Sequence, residues 1–132
     1  MFKNFLFAVA GFTLITATAA KADCANASNP FDEVYCDIQV FHQADHQLNV
    51  DYSGLYKVLN PAEQSSLKHG EIQWIKDRNE KCTMSQDGFD FVAMDCAVQL
   101  TNDRDSFIKN RARECSSTGC IDSAIGKENE SQ

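Results

Sequence analysis

The chain has 132 residues, 43% hydrophobic and 23% charged, with 19 acidic against 12 basic side chains and a formal charge of −7. That length holds one domain with its own core. The charge repels nucleic acid and anionic membranes and favours cationic partners.

The first residues, Met1-Phe2-Lys3, precede an uncharged run that ends at Ala20-Lys21-Ala22. One basic residue, an apolar stretch and a small-x-small ending predict a secretory signal peptide over residues 1–22. The apolar run from Phe5 to Ala20 is 16 residues, short of the roughly 20 that a spanning helix needs. Cys24 lacks the preceding leucine and small residues of a lipoprotein signal, which argues against a lipid anchor. Cleavage after Ala22 removes Lys3 and Lys21 and no acid, so the formal charge of the remaining 110 residues is −9. The expected location is periplasmic or secreted, with no membrane insertion after cleavage. All six cysteines survive cleavage, and an even set in an exported chain predicts disulfides rather than metal ligands.

Asn29-Pro30-Phe31-Asp32 reads as a helix start: a side-chain cap, proline in the first turn and an acid at the positive end. From there Val34, Ile38, Phe41, Asp45, Leu48, Tyr52, Leu55 and Leu59 recur every three or four positions, the seam of an amphipathic helix. Asn60-Pro61-Ala62-Glu63 repeats the start signal, with glutamate where a capping box wants it. A connection this short makes the two helices antiparallel neighbours. On the second helix Leu67, Glu71, Trp74, Arg78 and Cys82 share one stripe. Hairpin geometry sets Asp45 opposite Ile75 to Arg78, and predicts a partly buried Asp45–Arg78 ion pair. Thr83 to Gly88 reads as a turn, followed by a third helix from about Phe91 to Glu114. That helix would face Val92, Cys96, Leu100, Phe107 and Ile108 inward and bring Arg104 near Glu71. The expected architecture is an all-α, compact antiparallel three-helix domain stapled by disulfides, spanning 23–120. Residues 121–132 read as a polar, disordered tail.

Six cysteines allow 15 pairings, and the layout selects the sequential one. Cys24 and Cys36 bracket the first helix start, Cys82 and Cys96 flank the second turn, and Cys115 and Cys120 bracket the end of the third helix. Each bridge closes a short loop, for which the chain-entropy model gives roughly 2–3 kcal/mol.

The ordered set Cys24-Ala25-Asn26-Ala27-Ser28-Asn29-Pro30, Cys36, Ala44-Asp45-His46-Gln47-Leu48-Asn49-Val50-Asp51-Tyr52, Leu55, Leu67, Trp74-Ile75, Arg78, Cys82, Cys96, Leu100-Thr101 and Arg104 resembles a bacterial family, the lysozyme inhibitor LprI-like N-terminal domain. The resemblance covers about residues 24–108. Its signature positions are carried by Asp45, Leu48, Asn49, Tyr52, Trp74, Arg78 and the first four cysteines. The usual glutamine three before the tryptophan is Glu71, the acid often found after the arginine is Asn79, and Cys115 and Cys120 lie beyond the typical domain. The resemblance implies an exported helical domain that binds a cationic lysozyme and blocks its cell-wall hydrolysis. The competing reading is a periplasmic interaction or structural module, without lysozyme affinity, for another envelope protein. The candidate partner-binding loop is Asp87, Phe89 and Asp90, an exposed aromatic between acids.

No Gly-rich phosphate loop, nucleophile elbow or unpaired cysteine points to an enzyme or a cofactor. His42 and His46 have zinc-site spacing, but no third ligand accompanies them apart from Asp45, so they read as surface histidines and no metal is expected.

Overall fold

The computed structural model describes residue 24 and residues 26–121 and 124–127. The signal peptide expected over 1–22 lies outside the described residues. The element order is α1 (Pro30–Val58), α2 (Pro61–Cys82), β1 (Thr83–Gln86), β2 (Phe89–Val92) and α3 (Met94–Ser117). No helix among the described residues is long and apolar enough to cross a membrane.

Both Asn-Pro starts act as the sequence suggests. Asn29 Oδ1 accepts from the backbone N–H of Phe31 and Asp32 at 3.0 and 3.1 Å. Asn60 and Glu63 form a reciprocal capping box, with Glu63 N–H donating to Asn60 Oδ1 at 3.0 Å and Asn60 N–H to Glu63 Oε2 at 2.8 Å. Each cap satisfies donors that a helix N-terminus otherwise leaves without partners. Gln64 then ties the turn to α1, its Nε2 donating to the carbonyls of Tyr56 and Leu59 at 3.0 and 3.1 Å.

The core is Leu48 and Leu55 from α1, Leu59 just after its end, Leu67 and Trp74 from α2, Ile108 from α3, and Ile125 from the segment after α3. α3 packs along much of α1 and part of α2, whereas the backbones of α1 and α2 stand apart beyond their turn. The disulfides join Cys24 to Cys36, Cys82 to Cys96 and Cys115 to Cys120.

Three features differ from the sequence reading. Residues 83–92 are a two-stranded antiparallel hairpin, with Thr83 opposite Val92 and Gln86 opposite Phe89. Its two-residue loop, Asp87-Gly88, has φ of 53° and 82°, the left-handed pair that matches strand twist in tight hairpins. The third helix therefore starts at Met94 rather than Phe91, and Val92 is an exposed strand residue. The buried face of α3 is Ala97, Thr101, Arg104, Asp105 and Ile108, so Cys96, Leu100 and Phe107 lie at its margins. Thr101 is accommodated in the helix by donating its hydroxyl to the Ala97 carbonyl at 2.7 Å. Finally, the tail is not uniformly open: Ile125 is fully buried. The Cys115–Cys120 bridge turns the chain back over α2, where the Gly126 backbone lies against Gly70 and Ser66.

Candidate functional site

The gap between α1 and α2 is a groove of about 220 Å³, lined among others by Asp45, Asn49, Tyr52, Glu71, Trp74 and Arg78. Five of these were expected on facing seams and Asn49 as a signature position of the resemblance, and the register is the one that hairpin geometry predicts. The expected Asp45–Arg78 ion pair does not form. The Arg78 guanidinium carbon lies over the rings of Trp74 and Phe41, at 4.9 and 5.4 Å from their centroids. Its Nε and Nη2 donate to Asn79 Oδ1 at 3.2 and 3.0 Å. Asp45 instead accepts from Asn49 Nδ2 at 3.0 Å. The physical reason is the divergence of the two backbones. Aromatic rings fill the space, and a guanidinium over a ring face gains cation–π attraction while keeping its edge in water.

The second proposed pair does form. Arg104 Nε donates to Glu71 Oε2 at 3.0 Å, and the Arg104 side chain is only 1% exposed. Its guanidinium also sits 4.6 Å from the Phe107 ring centroid and 5.9 Å from that of Trp74. Glu71 thus neutralises a charge at the floor of the groove. Tyr52, partly buried beside them, has its phenol pKa pushed up, first by burial and then by the Glu71 charge. It therefore stays protonated and keeps a hydroxyl donor in the groove. Leu48 is buried beneath. Asp45, Asn49, Lys68 and Arg78 give the groove polar walls of both signs.

Asp87, Phe89 and Asp90 sit apart from this groove, on the hairpin. Phe89 is 68% exposed, and Met84 and Phe91 are exposed beside it. Directly opposed residues point to the same side of a hairpin, so Met84, Phe89 and Phe91 make one apolar face with Gln86. The other face carries Asp90, whose Oδ1 accepts from Ser85 Oγ at 2.5 Å. The sequence held the hairpin signal: Asp-Gly flanked by Phe89-Asp90-Phe91, an apolar–polar alternation.

A third cluster escaped the sequence reading. Lys109 Nζ bridges Asp105 and Asp51 at 2.7 and 3.4 Å. Burial raises the Asp105 pKa, and the facing Asp51 raises it further, while the hydrogen bond from Gln47 holds that of Asp51 down. These carboxyls come from α1 and α3, which no local spacing brings together. His42 and His46 are exposed on α1, and among the described residues no group of three or more His, Cys, Asp or Glu side chains could hold a metal ion.

No curated protein and no solved structure matches the chain. A family model does, that of the lysozyme inhibitor LprI, over residues 20–107. The match spans α1, α2, the hairpin and α3 as far as Phe107, and includes every groove residue named above. With that much of its length aligned, the chain belongs to the lysozyme inhibitor LprI family.

Proposed function

We propose that this protein is exported, works in the periplasm or outside the cell, and inhibits a cationic lysozyme by covering its cleft. Membership of an inhibitor family is the observation that carries the reading. Three disulfides suit an oxidising compartment. An excess of acids over bases, −7 for the whole chain, suits a basic partner by steering its approach. A lysozyme cleaves its polysaccharide between two carboxyl groups in a cleft, so inhibition requires only that something exclude the sugar chain. The hairpin is a narrow projection with Phe89 near its tip and Asp87 and Asp90 beside it, a shape and chemistry that suit this task.

Lysozyme turnover, measured against an excess of oxidised protein across a salt series, tests the proposal. Inhibition should be present, with association slowing markedly as salt rises because the steering field is screened. Asp87→Asn with Asp90→Asn should lower the on-rate, and Phe89→Ala should raise the off-rate. Unchanged turnover by cationic lysozymes at excess protein rejects the reading. One observation favours the alternative of an envelope interaction module without lysozyme affinity. The signature positions other than the cysteines line the α1–α2 groove, whereas at the hairpin only the bridge at its base belongs to the set. Under that alternative, Asp45→Ala with Asn49→Ala would abolish capture of an envelope partner that the hairpin variants still bind.

A further inference from the structure

The α1 seam recurs without a break from Val34 to Leu59, yet its N-terminal part is bare. Leu48, Leu55 and Leu59 are buried, whereas Val34 is 58% exposed, Ile38 50% and Phe31, one turn earlier on the same face, 88%. The cause is a difference in length: α1 has 29 residues and α2 has 22. The Arg78–Phe41 contact sets the end of α2 beside the twelfth residue of α1, so the opening turns of α1 overhang. The hairpin leaves the bundle at this same end, since Asp37 and Val40 of α1 share a recess with Met94 and Asp95 of α3. Two apolar surfaces, the overhang and the Met84-Phe89-Phe91 face, therefore lie at the same end of the bundle. The Cys24–Cys36 and Cys82–Cys96 bridges fix their bases.

Charge is distributed unevenly along the chain. No lysine or arginine occurs from Ala22 to Tyr56, nor from Cys82 to Asp103. Those stretches carry Asp32, Glu33 and Asp37 on the overhang, Asp87 and Asp90 on the hairpin, and Asp95 at the start of α3. Lys81 is the nearest base beyond Arg78.

We infer that this disulfide-stapled end, with Phe31, Val34 and Ile38 on one side and Phe89 and Phe91 on the other, is a docking surface for a cationic protein. Apolar groups amid charged neighbours match the anatomy of specific interfaces, where a few desolvated side chains carry most of the energy. A second copy of this chain would oppose acid to acid, which argues against self-association. Two bridged bases present the surface already ordered, lowering the entropy lost on binding. The inference rests on the proposed reading of a cationic lysozyme as partner, and adds α1 to the hairpin as the second half of the contact.

The test uses protein recovered oxidised from the periplasm of an expressing bacterium, with a cationic animal lysozyme as the probe. Phe31→Ser with Ile38→Ser, and separately Phe89→Ser with Phe91→Ser, should each weaken the Kd by about tenfold or more without changing the melting curve. Val50→Ser with Val58→Ser, equally exposed but farther along α1, should leave it unchanged. Wild-type binding that both pairs leave intact overturns the surface and spares the lysozyme reading; absence of wild-type binding overturns both. A wild-type dimer in sedimentation, dispersed by the same substitutions, would also overturn the inference, since the surface would already be occupied by a second copy.

Discussion

Replacing Gly70 by alanine should destabilise this protein, although the same change elsewhere in its helices should do the opposite. In an exposed helix interior, Gly→Ala stabilises by roughly 0.5–1 kcal/mol, because alanine loses less backbone freedom on folding. Gly54 in α1 meets that description, with nothing within 4 Å of a Cβ built there. At Gly70 the same Cβ would stand 2.0 Å from the Gly126 carbonyl oxygen and 2.7 Å from its carbon. Backbone cannot rotate away as a side chain does, so the segment around Gly126 must retreat. Ile125 sits in the core with Leu67, Trp74 and Ile108, and withdrawal of a buried isoleucine costs about 2–5 kcal/mol when it leaves a cavity. Set against the helix gain, the net loss is about 1–4 kcal/mol. Denaturant melts under non-reducing conditions would measure it. Ile125→Ala should cost a similar amount, and Gly70→Ala should add little in that background because both act on one contact. A Gly70→Ala protein that melts later than wild type, as Gly54→Ala should, would refute the claim that the tail is latched onto α2.

Two further outcomes concern charge. Glu71→Ala should destabilise several-fold more than Asp45→Ala in kcal/mol, because Glu71 faces the buried Arg104 guanidinium, whereas Asp45 holds only an exposed Asn49; equal losses in paired chemical melts would contradict this. Asp105→Asn should raise the melting temperature at neutral pH, with the advantage fading on acidification. The pKa of Asp105 is raised in the fold, first by burial, so its unfavourable ionised form is present above that raised value. Below the ordinary 3.8 both states hold the proton and the wild type carries no penalty. An advantage that grows as pH falls would show the sign to be wrong.

Much of the fold is legible in the sequence because its causes are local. The Asn-Pro pairs at 29–30 and 60–61 set both helix starts through caps that involve neighbours two or three residues away. Spacing alone identified the Leu48–Leu59 seam and the Leu67-Trp74-Cys82 stripe, since three- and four-residue steps share a face whatever lies opposite. The Glu71–Arg104 contact followed from the helix order. The hairpin at 83–92 is equally local, its signal being the Asp87-Gly88 turn between Ser85-Gln86 and Phe89-Asp90.

What the tertiary structure decided are the matters that depend on distance between elements. Asp45 and Arg78 stand in the expected register but do not form the ion pair that the sequence predicts, because pairing depends on how far α1 and α2 diverge and on rings that fill the gap. Val34 and Ile38 obey the same periodicity as Leu48 and Leu55, and only the shorter span of α2 leaves them in water. Ile125 lies in a mostly polar tail, four residues after the exposed Ile121. It becomes core because a disulfide reverses the chain and two glycines let backbone meet backbone. A periodic pattern states which face is apolar; whether anything covers that face is determined by the lengths and separations of the other elements.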